Sequence, residues 1–466
     1  MKLIKNLILL TFLLLFASNL TAQNDTKANY ILFKNVKIFD GTSESLISGM
    51  SVLIENNLIQ KIAADVSIPE GTTVIDGKGM TLMPGLIEGH GHLQMNGHSI
   101  SDIENSRNWE ELAVRSTVNA KNALLSGFTT WRDAGGMGAG LKKTVDAGLV
   151  LGPRIYPSGG FIGPTGSHAD FRNFNTPNET LNGIHSSGGK LGMTITADGV
   201  DQIKAAARQN FMQGASQIKI MSSGGVVSQF DPWQLDAYGP EEIRAAVEVA
   251  DAYGTYVMSH AYSKKSIMRC LENGVKTIEH CFMFDGDVAK LMKKKGAYMT
   301  TNMQAFSPAL SQVSAISASK ASARKANSAQ EAFKGYIENV KKHRPKLGFQ
   351  GDCVGMPDAC NKQNDHQIYL GAHYFGNHYY LKALTSVNGE IVKLSGEVMD
   401  PYPDGKLGVV EEGAYADLLL VDGNPLEDIS VIGGNEKWFD APVRDGIETM
   451  KIIMKDGKIY KNTLDK

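Results

Sequence analysis

The sequence predicts an α/β fold: a (β/α)8 TIM barrel with a small β-sandwich domain formed by both chain termini. Three observations carry this. Eight short apolar runs between residues 82 and 353 alternate with segments of helical composition, the pattern of a parallel barrel. Alternating runs closed by Gly, Asn or Asp occupy both ends of the chain, so strands from both ends build one β domain. Polar side chains able to bind metal recur where the apolar runs stop, the face on which such barrels carry their active sites.

Residues 1–22 come first and are an address. Lys2 and Lys5 precede the apolar run Leu7–Phe16 and the small and polar residues ending in Thr21-Ala22-Gln23, the tripartite form of a secretory signal. Cleavage is expected after Ala22, which exports the protein to the periplasm or the medium and removes its only long apolar segment, so no membrane span is expected afterwards. Losing two lysines takes the formal charge from -2 to -4. With Lys+Arg 47 against Asp+Glu 49 in 466 residues, the chain has no electrostatic footprint for nucleic acid or an anionic membrane. Its 42% hydrophobic content excludes disorder, and Gly 49 against Pro 15 implies many tight turns.

Residues 23–82 form the first part of the β domain, with runs at 30–41, 50–63 and 72–77. The barrel follows over 83–402. Its strands are LMPGLIEGH (82–90), FTTWRDAG (128–135), RIYPSGGFI (154–162), QIKIMSSGG (217–225), TYVMSHAY (255–262), KTIEHCFMF (276–284), AYMTTNMQ (297–304) and KLGFQGDC (346–353). After the third strand, 163–194 is a long Gly/Ser/Asn/Thr loop without helical period, and long loops in compact domains are commonly functional. The Ser/Ala/Lys-rich 311–330 is expected as a helix outside the barrel. Residues 403–466 return to the β domain, with runs at 416–423 and 448–460 and an Asp456-Gly457 hairpin signal. Four cysteines are too few for a disulfide scaffold; only Cys353 and Cys360 are near enough to staple a local loop, and none forms a C-x-x-C metal pair.

His90 and His92 end the first barrel strand, and a period of two puts both imidazoles on its inner face as a ready metal chelate. His260, His280 and Asp352 end the fifth, sixth and eighth strands. Lys219 lies between two isoleucines in the fourth, so it points inward, where an amine is costly unless neutralised or modified. Beside two divalent ions, carbamylation by carbon dioxide would convert it into a bridging, carboxylate-like ligand, which makes the site binuclear.

The run MPGLIEGHGHLQ, followed by Lys219, His260, His280 and Asp352 on later strand ends, resembles the amidohydrolase superfamily. KIMSSGGVVS, MSHAY, GVKTIEHC and YADLLLVDGNPLEDI resemble its imidazolonepropionase-like, Xaa-Pro or Xaa-Arg dipeptidase and ochratoxin-hydrolysing branch. The resemblance implies two divalent metal ions, zinc by preference. His90, His92 and Asp352 would hold one, His260 and His280 the other, and carbamylated Lys219 would bridge them. It makes Asp352 the general base and then acid, His168 in GPTGSHAD a loop histidine that polarises the carbonyl, and Tyr238 a substrate contact. The eighth strand departs from the family's G-T-D or G-S-D, reading Gly351-Asp352-Cys353, with Asp358 and Asp365 as rivals. His373 and His378 are expected to be packing or surface groups.

The function this implies is hydrolysis of an amide bond in a dipeptide or N-acyl amino acid, a small-molecule substrate; self-association is left open. The alternative is a mononuclear deaminase or a hydrolase of imidazolone-type cyclic amides. Against a deaminase, no glutamate follows His260 in His260-Ala261-Tyr262-Ser263. A non-catalytic scaffold would lack ligands, and none of the expected residue types is missing.

Overall fold

The computed structural model describes residues 28–136, 138–228, 230–317, 320–354, 360–442 and 446–464; the expected leader and Asp358 lie outside the described residues. Chain polarity decides the architecture. Tyr30–Ile38 pairs antiparallel with Ile47–Glu55, which pairs with Leu58–Ala63. From the other end of the chain, Leu418–Val421 pairs antiparallel with both Thr81–Pro84 and Met450–Lys455, and the last hairpin ends in Lys458–Asn462. All join one eight-stranded sheet to which both termini contribute. Period-two alternation turns Ile31, Phe33, Val52, Ile54, Leu418, Leu420, Ile452 and Met454 into a shared apolar cluster. The hairpin turn expected at Asp456-Gly457 forms, with φ of 56° and 64°. Two left-handed residues in succession suit the twist of the flanking strands, and a side chain at Gly457 would strike the Asn56 carbonyl.

Thr81–Pro84 belongs to that sheet, and the chain enters the barrel directly afterwards at Leu86–Gly91. This strand runs parallel to Phe128–Asp133, and that to Arg154–Tyr156. Phe161–Gly163, Ile218–Met221, Val257–Ala261, Thr277–His280, Tyr298–Thr301 and Leu347–Phe349 continue in parallel order. The ring closes where the Asp352 amide donates to the His90 carbonyl at 2.9 Å. Helices cover the outside, among them Pro240–Ala252, which starts with proline at its first turn, and Gly286–Lys295, capped by Asp285.

Three expectations change. The third strand is two pieces, Arg154–Tyr156 and Phe161–Gly163, separated where Pro157 offers no N–H. The loop after it is not featureless: it contains Glu179–Asn182 and Ser187–Lys190, capped by Asn178 and Ser186, and the strand Thr194–Thr196 beside Phe161–Gly163. Residues 320–332 are helical, but Ala326 and Ala329 on that helix line a cavity at the barrel mouth instead of lying outside it.

A buried ion pair ties the barrel to the terminal sheet. Arg154 Nε donates to Asp417 Oδ2 at 3.0 Å, the guanidinium lies 3.8 Å from the Tyr415 ring centroid, and Asp417 Oδ1 also accepts the Asp456 amide at 2.8 Å. Arg154 and Asp417 are both buried; Arg154 also contacts the partly exposed Asp456, so removing Asp417 leaves the guanidinium with only that one carboxylate at the edge of the site. Asp417→Ala is expected to lower unfolding free energy by about 3 kcal/mol, measured by urea denaturation; a change below about 0.5 kcal/mol, the scale of an exposed pair, would show that the pair carries no such load.

Candidate active site

Parallel strands deliver their C-terminal ends to one face, and there the polar side chains meet. His90 Nε2, His92 Nε2 and an Asp352 oxygen converge: His92 Nε2 is 3.3 Å and His90 Nε2 3.7 Å from Asp352 Oδ1. Each of the three residues offers a ligand atom within 4.8 Å of the others. The His260 and His280 rings are 4.5 Å apart, and His280 is 5.1 Å from His90. Lys219, fully buried, points its Nζ to 3.3 Å from His90 Nε2. All six expected ligands therefore share one floor, and Asp352 holds the place its rivals were offered: Asp365 is on helix Cys360–Phe375 and does not line the cavity.

The floor includes backbone conformations that side chains rarely adopt. His280, Cys281 and Asp352 have φ of 68°, 51° and 49°. Strict alternation would turn His280 away from the interior, because its neighbour Glu279 already faces inward; the left-handed backbone at the strand end brings both to the same side. Thr301 Oγ1 holds this bend by donating to the His280 carbonyl at 2.8 Å.

Each imidazole has one nitrogen engaged. His90 Nδ1 meets Glu279 Oε2 at 2.8 Å, His92 Nδ1 the Gly135 carbonyl at 3.1 Å, and His260 Nε2 the Gly224 carbonyl at 3.0 Å. His280 Nδ1 lies between Asn302 Oδ1 at 3.0 Å and Gln350 Nε2 at 2.9 Å. The second nitrogens of His90 and His92 face Lys219 and Asp352 within the cluster, and a ring held through its other nitrogen is the arrangement that fixes orientation at metal sites. Glu279 is wholly buried and accepts from Arg132 Nη2 at 2.8 Å and from Thr277 and Thr300 hydroxyls at 2.6 Å. The donor set, imidazoles with a carboxylate, suits zinc and similar divalent ions, so the residues fit a metal.

Burial shapes the charges. It pulls His90 and His260 well below the ordinary histidine range, helped by Lys219 and His168 respectively, and His280 down to about 4. These rings are neutral at pH 7, the form that binds metal. Burial also lowers Lys219 to about 8. Asp352 resists the same burial because the His92 hydrogen bond, with the neighbouring His90 and His280 rings, holds it well below the carboxylate range.

Above the floor opens a cavity of about 580 Å³. His168 lines it, stacked on His260 at 4.2 Å, with Nδ1 3.7 Å from Asp231 Oδ2. Asp231 also accepts the Gly225 amide at 2.7 Å, and a side chain at Gly225 would overlap the His168 ring. Tyr238 is not there. It is buried in the core and donates to the Ala197 carbonyl at 2.9 Å, because the bend before Pro240–Ala252 turns it under the helix; among the described residues, the tyrosine lining the cavity is Tyr262. Cys353 and Cys360 are free thiols, so the local staple that their spacing allows is not formed. His373 and His378 are remote from the cavity lining, as expected.

Sequence reasoning missed Glu279, Arg132, Asp231, Asn302 and Gln350. The signal for the first two was available: an acid and a base each inside an apolar strand, in TIEH and TTWRD. Glu279→Gln keeps the shape but weakens the hydrogen bond to His90, and metal affinity is expected to fall about 10- to 100-fold; unchanged affinity in equilibrium dialysis would remove Glu279 from this role. A second test uses Glu88. Its Oε1 accepts the His90 and Gly351 amides at 2.9 and 2.8 Å, and burial pushes its pKa from 4.5 up to about 8. The stability this contributes is full below about pH 4.5 and is lost as pH rises through about 8. Metal-free wild type should therefore lose unfolding free energy relative to Glu88→Gln across that window; parallel pH profiles would show that no proton is linked.

Comparison with known proteins agrees with this geometry. Residues 81–354 match the Amidohydrolase family. The chain is 26% identical over 423 residues to ochratoxinase of Aspergillus niger, covering 88% of this chain and 82% of that protein. A crystal structure of a prolidase complexed with N-methylphosphonate-L-proline superposes with a TM-score of 0.80 at 32% identity, covering 93% of this chain and 100% of the other. A Xaa-Pro dipeptidase with bound methionine in its active site gives 0.76 at 28% identity, with coverage of 93% and 100%. The chain belongs to the amidohydrolase family and is a hydrolase acting on carbon–nitrogen bonds.

Proposed function

We propose that this chain is a metal-dependent amidohydrolase that cleaves the amide bond of a dipeptide or an N-acyl amino acid. The observation that carries the reading is the convergence of His90, His92 and Asp352 on the floor of a cavity, with His260, His280 and Lys219 against them. Prolidase, Xaa-Pro dipeptidase and ochratoxinase relatives support the substrate class. In this reading His90, His92 and Asp352 would hold one divalent ion, zinc by preference, His260 and His280 would hold a second, and carbamylated Lys219 would serve both. Bound metal would supply a water of lowered pKa and polarisation of the scissile carbonyl.

The chain's own groups do the rest. Lys219, lowered to about 8 by burial, is partly a free amine at neutral pH, the form that adds carbon dioxide to give a carbamate and a proton. Asp352, a carboxylate within the ligand cluster, would accept a proton from the attacking water and deliver it to the leaving amine. His168 faces the cavity with Asp231 behind it, placed to donate a hydrogen bond to the carbonyl oxygen. Tyr238 has no part in this. The reading includes export behind residues 1–22, and a barrel over 83–402 with a β-sandwich companion from 23–82 and 403–466.

Lys219→Ala is expected to reduce metal content and to lower kcat/KM on a hydrolysed dipeptide or N-acyl amino acid by at least about 100-fold. Elemental analysis and a substrate screen of metal-loaded protein check both. Full activity with undiminished metal would sink the binuclear assignment, and one ion per wild-type chain would favour the deaminase or cyclic-amide alternative.

A further inference from the structure

The connection from Thr301 to Leu347 is long for a barrel, and it builds a wall over the site. It folds through the turns Met303–Phe306 and Leu310–Gln312 into helices Lys320–Ala332 and Tyr336–His343. Phe333, after the first of these helices, stacks on Phe282 at 4.5 Å. Phe282 meets Tyr262 edge-on at 4.9 Å, and Tyr262 meets the ring of His280 at 4.9 Å. An unbroken run of aromatic rings thus leads from a candidate metal ligand to the cavity wall. Leu310, Val313 and Ile316 line the same cavity from the connecting segment.

Charge is distributed in keeping with this. Apart from the ligand cluster, the charged side chains among the described lining residues are Asp170 and Arg172, and they are committed to each other: Arg172 Nε donates to Asp170 Oδ1 at 2.7 Å, and Nη2 contacts the other oxygen. Among the described residues, no carboxylate lines the aromatic wall to receive a cationic side chain. At the cavity's rim, Val227 and Phe230 are 45% and 52% exposed, an apolar edge that water wets until something covers it.

We infer that the substrate carries a bulky, uncharged aromatic group on one side of the scissile amide, seated against Tyr262, Phe282 and Phe333. This rests on the amide-hydrolase reading and names its substrate class more narrowly. Stacked and edge-on ring contacts, together with loss of wetted apolar surface at Val227 and Phe230, favour an aryl group. An alkyl guanidinium would lose its hydration against the same wall without a carboxylate to compensate.

The test compares matched N-acyl amino acids and dipeptides whose variable group is phenyl or naphthyl, hydrogen, or an arginine side chain. With metal-loaded wild type, kcat/KM should favour the aryl members about 50-fold or more over both others. Phe333→Ala should erase most of that advantage, read as the ratio of aryl to small-group kcat/KM. Because Phe333 also packs in the core, Ala305→Trp provides a second variant: it fills the cavity from a lining position without deleting a contact, and should reject aryl substrates selectively. Calorimetric binding of the aryl carboxylic acid product is measured in parallel, with the acetyl product as reference. Equal turnover and equal product binding across the series, or a preference for arginine, overturns the inference. If no amide is hydrolysed while aryl product still binds at least about 50-fold more tightly than acetyl and Ala305→Trp abolishes this, the aromatic compartment stands and the amide-hydrolase reading fails.

Discussion

The Glu279 carboxylate is the group on which the geometry of the site depends. It is buried inside the barrel, where an unpaired charge could not persist, and it persists because Arg132 and two threonine hydroxyls meet it there. Burial alone would protonate it; Arg132 and then Lys219 hold it below the ordinary glutamate range. As an anion it fixes His90 by the Nδ1 side and so turns Nε2 toward His92 and Asp352. Arg132 in turn donates to Tyr256 and Thr277 and to the Gly89 carbonyl on the first strand. One ion pair therefore couples the first, second, fifth, sixth and seventh strands just beneath the ligands. Such a pair adds little net stability compared with an apolar core, and its value lies in the orientation it imposes.

The second constraint is the handover from strand to loop. While the backbone is extended, only alternate residues can face the barrel interior, yet the site needs Glu279 and His280 together. A left-handed residue at the strand end resolves this, and the same device places Asp352. These conformations cost of order 1–3 kcal/mol each and are held by bonds across the ring: Thr301 Oγ1 to the His280 carbonyl, and the Asp352 amide to the His90 carbonyl. The hydrogen bond that closes the barrel between its last and first strands is thus also one that positions a ligand.

These two constraints explain what could be read from the residues. His90, His92, Lys219 and His260 follow the two-residue period of apolar strands, so their inward direction was legible from neighbours alone. His280 and Asp352 were legible only as strand-end residues, since their direction depends on a positive φ that residue type does not announce. Glu279 was hidden because alternation assigns the inward face to one of two neighbours, and histidine is the more obvious ligand. Tyr238 failed for the opposite reason: proximity to a strand end suggested the cavity, whereas a turn into Pro240–Ala252 sends its ring into the core and its hydroxyl to Ala197. The glycine count was informative in bulk, and at Gly225 it acquires a particular meaning, since the His168 ring occupies the space a side chain there would need.

Floor and walls consequently obey different rules. The floor is made from strand ends, whose spacing and direction are fixed by hydrogen-bonded pairing, and six residues scattered over more than half the chain arrive together as a matter of register. The walls come from the long connections after the third and seventh strands, where direction is set by packing. His168 and the Asp170–Arg172 pair come from the first connection; Leu310, Val313, Ile316 and Phe333 come from the second. An alanine-rich polar helix such as Lys320–Ala332 can bury its alanines against the barrel's flank or over its mouth with the same sequence pattern, which is why 311–330 looked like an outer helix. What selects the mouth is a complementary surface: Phe282 projects beyond the sixth strand from the backbone turned by His280 and Cys281, and Phe333 stacks on it. The strained turn that delivers a ligand to the floor thus also launches the ring that seats the wall, so chemistry and substrate choice are linked through one short segment, Glu279 to Phe282.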